Sequence, residues 1–253
     1  MFHSRNQLIS AARRPFVAGG AYTAQGVRFD GTDFLELNGG LTGASDSKVG
    51  MFSCWFKMTG NDGGYNVLLE GDGGTMGLAI YRWNDNTLKF VATDSADSIV
   101  LGMSSSSTYM VGAGWKHILA SWDLAAGRAQ LYVQDAPDIA GGPTIVNTNI
   151  HYIRTRWDIG ARFSGSALFM DAEIADYYVN FATSLDLSNS TNRRKFISAG
   201  LAPVDLGSDG STPTGTAPII YLHGAVGSWQ TNDGTGGGFT SGATLTAAGS
   251  NPP

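Results

Sequence analysis

The sequence predicts an all-β protein: an antiparallel sandwich with one short C-terminal helix and an extended N-terminal arm. Three observations support this prediction. Short apolar segments follow one another along the chain, separated by turns rich in Gly, Asn and Asp, as in sandwiches of antiparallel strands. Glycine accounts for 35 of 253 residues and charged residues for only 15%, a balance that disfavours long solvated helices. The third observation is a clear hairpin at residues 115–135.

This hairpin consists of two strand-like segments around a tight turn. The first segment, residues 115–122, carries apolar side chains on both faces, as in a strand buried between layers. Residues 123–127 form the turn, where Gly127 can adopt the positive φ that such turns need. The second segment, residues 128–134, alternates apolar and polar residues with a period of two. We therefore expect a core that includes Trp115, Ile118, Leu131 and Val133.

Residues 1–24 show no strand periodicity and are predicted to form the arm. Residues 1–29 contain four arginines and no acidic residue. An arm of this composition buries too little apolar surface to become ordered alone, and a basic arm prefers an acidic partner. We expect Arg5, Arg13 and Arg14 to dock the arm on another subunit. The alternative is a simply solvated end, which the sequence taken alone favours.

The sandwich is predicted to span residues 25–182, and residues 183–253 to form an extension packed on it. Residues 94–110 are expected to be mostly loop with a weak strand near 99–101, and residues 138–149 to be a loop. The extension contains one predicted helix, Ser190–Ala199, which Gly200 would terminate. Other strands are predicted at 25–30, 33–37, 51–58, 65–70, 76–82, 88–92, 156–162, 167–180, 219–222 and 239–247.

Composition also limits the functional class. The net charge of −5 disfavours broad nucleic-acid binding. Cys54 is the one cysteine, so no intrachain disulfide can form. No apolar run approaches the length of a membrane span, and the N-terminus lacks the apolar core of a secretory signal. We therefore expect no membrane insertion, and synthesis and folding in a cytoplasm.

Four stretches together resemble a laminin-G-like domain of the concanavalin-like jelly-roll superfamily, over about residues 25–180. The resemblance implies a jelly-roll sandwich without fixing a function. The stretches are Gly26–Gly31 with Phe34–Leu37, Phe52–Lys57, Trp115–Ala120 with Leu131–Val133, and Ile159–Arg162 with Ala172–Asp176.

The C-terminal part adds a second resemblance. Residues 194–198, 203–210 and 217–222 resemble the tail of such domains in structural proteins of tailed phages. This resemblance implies a non-enzymatic virion surface protein, a capsid decoration or tail-associated subunit made in the host cytoplasm. Its partners would be other virion proteins and further copies of itself. The alternative is a lectin-like module of a tail fibre that binds a host surface glycan, and a degenerate glycosidase comes third.

The residues of the chain give little support to a catalytic function. Glycosidases of the superfamily resembled carry Glu-x-Asp-x-x-Glu on one strand, where two carboxylates flank the scissile bond. The nearest approach is at 171–176, where Asp171 and Glu173 share a face, Asp176 falls on the other and a third carboxylate is missing. His117 and Cys54 lie in strands and are interpreted as core residues. We therefore expect no enzymatic activity and no catalytic residue.

Two binding sites are considered. Calcium, the common ion of the family resembled, would be held by loop oxygens from Asp62, Asp72, Asp94 and Asp97. Asp-Gly turns also form without metal, and we favour that interpretation. No other cofactor is expected. Carbohydrate would need an exposed aromatic ring beside polar loop groups. The candidates are Tyr81, Trp83, Asn84 and Trp229, with Trp83 the best because it adjoins the polar turn 84–86.

Overall fold

The computed structural model describes residues 22–72, 76–162 and 165–253. Within them, two antiparallel sheets of eight strands face each other, with a four-residue helix, α1 (Ser190–Arg193), and a 3-10 helix at Val226–Ser228. The strands are β1 (Val27–Asp30), β2 (Leu35–Asn38), β3 (Val49–Met58), β4 (Asn66–Asp72), β5 (Met76–Arg82), β6 (Thr87–Thr93), β7 (Ile99–Thr108), β8 (Lys116–Asp123), β9 (Arg128–Val133), β10 (Ala136–Pro137), β11 (Thr144–Ile145), β12 (Arg156–Ile159), β13 (Asp171–Asn180), β14 (Ile220–Leu222), β15 (Thr240–Ser241) and β16 (Thr246–Ala247).

The strand order interleaves distant parts of the chain. The first sheet runs β10-β9-β8-β3-β13-β1-β16, with β14 also paired to β13. The second runs β11-β7-β6-β5-β4-β12-β2-β15. The inner faces enclose one large apolar core in which Phe52 contacts Phe90 and Tyr177 edge to face. The predicted all-β antiparallel sandwich with one short helix is therefore confirmed.

The central hairpin has the predicted form. β8 and β9 pair from Ile118 opposite Val133 to Asp123 opposite Arg128. Ile118, Leu131 and Val133 are core residues as predicted. Trp115 differs, because it precedes β8 and is half-buried beside Gly26, against the small cluster of Ala24, Trp55, Ala175 and Ile197 outside the main core.

Gly127 closes this hairpin turn with a φ of +64°. Gly127→Ala should destabilise the protein by about 1 kcal/mol, because an L-residue is disfavoured in the left-handed region. The control is Gly227→Ala, since Gly227 has an ordinary φ and, like Gly127, has no atom within 4 Å of an added Cβ. Urea unfolding of both variants measures the difference, and equal stabilities would contradict the assigned turn.

Three segments differ from the predictions, and the smallest difference is in the predicted loop 138–149, which contains the two-residue strand β11. The 94–110 region contains β7, a strand of ten residues, because the buried Leu101, Met103 and Ser105 alternate with the less buried Gly102, Ser104 and Ser106. The helix spans only four residues instead of Ser190–Ala199, with Asn189 as its N-cap. Its predicted terminator, Gly200, has no positive φ, and Leu201 takes that conformation with a φ of +60°. The helix ends earlier than predicted because Phe196 and Ile197 pack on the outer face of the first sheet.

Part of the C-terminal extension covers the outer face of the first sheet, whereas β14, β15 and β16 are strands of the two sheets themselves. Leu187, Phe196, Leu206 and Tyr221 pack there on Met51, Leu119 and Tyr178. A second cluster joins Tyr22 and Ala24 to Trp55 and Ala175, so the body of the protein includes at least the last three residues of the predicted arm. The arginines predicted to dock the arm, Arg5, Arg13 and Arg14, lie outside the described residues. No helix in the described part of the chain is long and apolar enough to span a membrane.

Candidate functional site: an aromatic pocket on the second sheet

The outer face of the second sheet carries a group of aromatic side chains at the start of the β4–β5 hairpin. Val67 pairs with Tyr81 and Asn66 with Arg82, and continuing this register places Tyr65 opposite Trp83. Since side chains two residues apart share a face, Tyr65 and Trp83 lie on the same side as Val67 and Tyr81. The hairpin register therefore brings three aromatic rings together.

These rings form a pocket of about 300 Å³, hereafter the aromatic pocket. The Tyr65 and Trp83 ring centroids are 4.7 Å apart and nearly perpendicular, and Tyr81 meets Trp83 at 6.1 Å. Tyr65 and Trp83 are half-buried whereas Tyr81 is buried, so the first two form the rim. The pocket is lined by Tyr65, Tyr81, Trp83, Val91, Arg162 and Leu168.

An ion pair lies at the edge of the aromatic pocket. Arg162 Nε donates to Glu70 Oε1 at 2.7 Å, and Glu70 is fully buried. Burial raises the pKa of Glu70, opposed by a hydrogen bond from Tyr81 and by the charge of Arg162. The second carboxylate oxygen, Oε2, is buried and has no hydrogen-bond partner within the described residues. Glu70 therefore holds Arg162 at the pocket without lining the pocket itself.

Glu70 also belongs to a row of carboxylates that crosses three strands. Asp158 on β12 pairs directly with Glu36 on β2 and with Glu70 on β4, so neighbouring members are about 5 Å apart at Cβ. Arg156 bridges Asp158 at 3.1 Å and Asp72 at 2.7 Å. The glycosidase pattern considered in the sequence lies on one strand, and this row was missed because only strand pairing brings its members together.

A second ion pair adjoins the aromatic rim. Lys89 on β6 lies opposite Tyr81 on β5. The Lys89 Nζ is 4.9 Å from the Trp83 ring centroid. The same Nζ is 3.1 Å from the Asp85 carboxylate. Lys89 is thus held by a cation–π contact and by an acid of the turn that follows Trp83.

The structure separates the four residues predicted to bind carbohydrate. Tyr81 and Trp83 line the aromatic pocket, together with Tyr65, which the sequence analysis missed. Asn84 is exposed in the next turn and does not line the pocket. Trp229 is fully buried, packs on Phe29 edge to face and donates to the Gly224 carbonyl. Its ring is therefore a core element and is not available to a ligand.

The four aspartates predicted to hold calcium do not form one cluster. Asp62 precedes β4 and accepts from the Val111 amide, whereas Asp72 ends β4 beside Arg156. Asp94 and Asp97 belong to the β6–β7 turn, where Asp94 accepts from the amides of residues 96 and 98. Within residues 22–72, 76–162 and 165–253, no three His, Cys, Asp or Glu side chains form a group suited to a metal.

The acids of β13 are also separately engaged. Asp171 accepts from Arg28 and Glu173 from Lys57, while Asp176 accepts from the Tyr22 hydroxyl. Since Tyr22 belongs to a cluster on the outer face with Ala175, the prediction that Asp176 faces away from Glu173 is wrong. The cause is a β-bulge between Ala175 and Tyr178, which interrupts the alternation.

The two strand residues interpreted as core residues are confirmed in that role. His117 shares a 2.9 Å hydrogen bond with Ser53, and burial lowers its pKa to about 3. Cys54 is fully buried in the core between the sheets. Neither residue lies at the aromatic pocket.

Comparisons with known proteins establish the fold of the chain. No protein-family model matches it, and no curated protein is similar in sequence. It superposes on a heptameric SAP-like pentraxin from Limulus polyphemus with a TM-score of 0.55 and 14% identity, covering 89% of this chain and 95% of the pentraxin. It superposes on a candidate carbohydrate-binding protein from Bacteroides ovatus with a TM-score of 0.61 and 9% identity, covering 91% of this chain and 62% of that one.

The chain therefore has the concanavalin A-like lectin/glucanase fold. The predicted concanavalin-like sandwich is confirmed at this level, and identities this low show the fold alone. Neither structure is a phage protein, so a phage origin stays a prediction from the sequence.

Proposed function

We propose that this protein binds carbohydrate through the aromatic pocket. The observation that carries the proposal is the combination, in one pocket, of half-buried aromatic rings with the partly exposed guanidinium group of Arg162, which Glu70 holds in place. Sugar rings present C–H groups on one face and hydroxyls at their edge, so they need an apolar wall beside a polar group. Ligand pockets have this composition in general: mostly apolar, with a few convergent polar groups.

The fold supports the same proposal more weakly. The Bacteroides ovatus structure is described as a candidate carbohydrate-binding protein, and we extend that description to this chain as part of the proposal. A lectin-like module accords with the alternative from the sequence, in which a tail-fibre domain binds a host surface glycan. We propose binding without hydrolysis, because the carboxylates Glu70, Asp158 and Asp72 are held by arginines.

A purely structural role on a virion is the second candidate, and it rests on the C-terminal resemblance. Most apolar side chains of that segment pack within the chain: Phe196 and Leu206 on the first sheet, and Ile220 and Leu222 in the main core. Those contacts explain the pattern without a virion partner. Locating the chain on purified particles by cryo-electron microscopy would decide whether this role exists.

The Trp83 ring should carry much of the affinity. Trp83→Ala should weaken glycan binding about 10- to 30-fold, the loss expected when an aromatic anchor is truncated. Immobilised glycans can identify a ligand, and titration calorimetry can then measure both affinities. The control is Trp115→Ala, because Trp115 is also half-buried under a lysine, Lys57, but lies on the first sheet. Equal losses in the two variants would contradict this location for the site.

A further inference from the structure

We infer that the ligand of the aromatic pocket is an uncharged sugar whose hydroxyl groups contact Arg162, which Glu70 holds in place, and that acidic sugars are excluded. This inference rests on the proposed function and concerns the same site. Two features support it: the charge balance of the sheet face and the pairing of the nearby cations.

The charge balance disfavours an anion. The row beside the pocket contains four carboxylates, Glu36, Glu70, Asp72 and Asp158, but only two guanidinium groups, Arg156 and Arg162. The row therefore carries two more negative than positive charges. Arg154 does not reverse this excess, because it lies among the carboxylates of Asp46, Asp72 and Asp97. Charge of one sign along a face repels ligands of that sign.

The cations nearest the pocket already have anionic partners. Arg162 donates its Nε–H to Glu70, and Lys89 is paired with Asp85 while it lies over Trp83. A carboxylated sugar would have to compete with these acids for the cations. An uncharged sugar would leave both ion pairs intact.

Arg162 supplies what a polyol needs. It lines the pocket with 32% of its side chain exposed, and a guanidinium group carries five N–H donors, of which the Nε–H is directed to Glu70. Glu70 is fully buried and does not line the pocket, so it acts by holding Arg162 in place. A sugar hydroxyl would accept from Arg162, and hydrogen bonds to a charged group are about twice as strong as neutral ones, while the ring packs on Trp83 and Tyr65.

The test uses matched probes. Methyl glycosides of glucose, galactose and mannose are each compared with the corresponding uronic acid, which differs only by a carboxylate at C6. Titration calorimetry at low salt should show at least tenfold tighter binding of the neutral member for every configuration that binds. Raising the salt to 1 M should narrow this difference because it screens the repulsion. A uronic acid that binds as well as its neutral partner would overturn the inference.

Two variants separate the ion pair at the pocket from the general field. Because Glu70 orients Arg162 and balances its charge, Glu70→Gln should weaken neutral-sugar binding about threefold or more and narrow the discrimination against uronic acids. Its matched control is Glu36→Gln, the same chemical change two strands away in the row, which should alter affinity less than about twofold. If Glu70→Gln does not fold, Arg162→Lys keeps the charge, loses the planar donor geometry and should also weaken binding.

The outcomes distinguish this inference from the proposed function. If no probe or immobilised glycan binds the wild-type protein, carbohydrate binding itself fails. A second outcome is that sugars bind and Trp83→Ala abolishes this binding, while Glu70→Gln and Arg162→Lys leave both affinity and discrimination unchanged. The aromatic pocket would then be supported as the binding site, and the roles assigned to Glu70 and Arg162 would be overturned.

Discussion

Replacing Leu131 with alanine should lower the free energy of unfolding by about 2–5 kcal/mol. Leu131 is 1% exposed on β9 and belongs to the core between the two sheets. Truncation would leave a cavity among closely packed side chains, so the loss combines the transfer free energy of the removed methyl and methylene groups with a cavity term. Equilibrium unfolding in urea at pH 7 provides the measurement.

Ile99→Ala is the matched control for this substitution. Ile99 is an aliphatic residue of the same size on β7, but it is 55% exposed. Its truncation should change stability by about 0.5 kcal/mol or less, as surface substitutions usually do. If Leu131→Ala loses less than about 1 kcal/mol, the face assigned to β9 is wrong.

The hairpin around Leu131 shows which parts of this fold follow from local sequence. Its first strand is apolar on both faces, its second alternates with a period of two, and Gly127 marks the turn, so both the strands and their pairing could be predicted. β7 could not, because four serines in succession hide the alternation of the buried Leu101, Met103 and Ser105. Its buried side is set by contacts with β6, which a local pattern does not contain.

The aromatic pocket was predictable only in part. Trp83 and Tyr81 drew attention as aromatic residues beside a polar turn. Tyr65 becomes their neighbour through the β4–β5 register, which could have been found by pairing the predicted strands 65–70 and 76–82 with each other. Arg162 approaches Glu70 from 92 residues further along the chain. The spacing of residues along the sequence does not predict that contact.

Trp229 illustrates the opposite error. It was one of the candidate aromatic rings for carbohydrate binding. The structure packs it on Phe29, with its indole N–H satisfied by the Gly224 carbonyl. A tryptophan in an irregular segment can thus serve as a core residue, because the segment directs its ring into the core between the two sheets.

Asp176 is a carboxyl group on the first sheet whose ionisation is opposed by burial. It is 4% exposed at the β13 bulge, with a φ of +46°. Burial raises its pKa to about 7, the hydrogen bond from Tyr22 opposes this rise, and the charge of Asp205 adds a smaller increase. The folded protein therefore holds a proton on Asp176 between about pH 4 and 7, where the unfolded chain has released it. This contribution to stability is complete below pH 4 and is lost as the pH rises through 7.

Asp176→Asn should therefore stabilise the protein at pH 8 by about 1–4 kcal/mol, the upper value following from a pKa raised by about three units. Asparagine keeps an acceptor for Tyr22 and tolerates a positive φ. At pH 4 the variant and wild type should differ little, because the wild-type carboxyl is then uncharged.

Asp138→Asn should have the opposite effect and destabilise the protein at pH 8. Burial opposes ionisation of Asp138, but hydrogen bonds from Ser106, Tyr109 and Ser107 lower its pKa. An amide at this position would lose acceptors for those hydrogen bonds. Urea unfolding of both variants at pH 4 and 8 tests this, and a loss of stability in Asp176→Asn at pH 8 would mean that the ionised carboxylate has a stabilising partner.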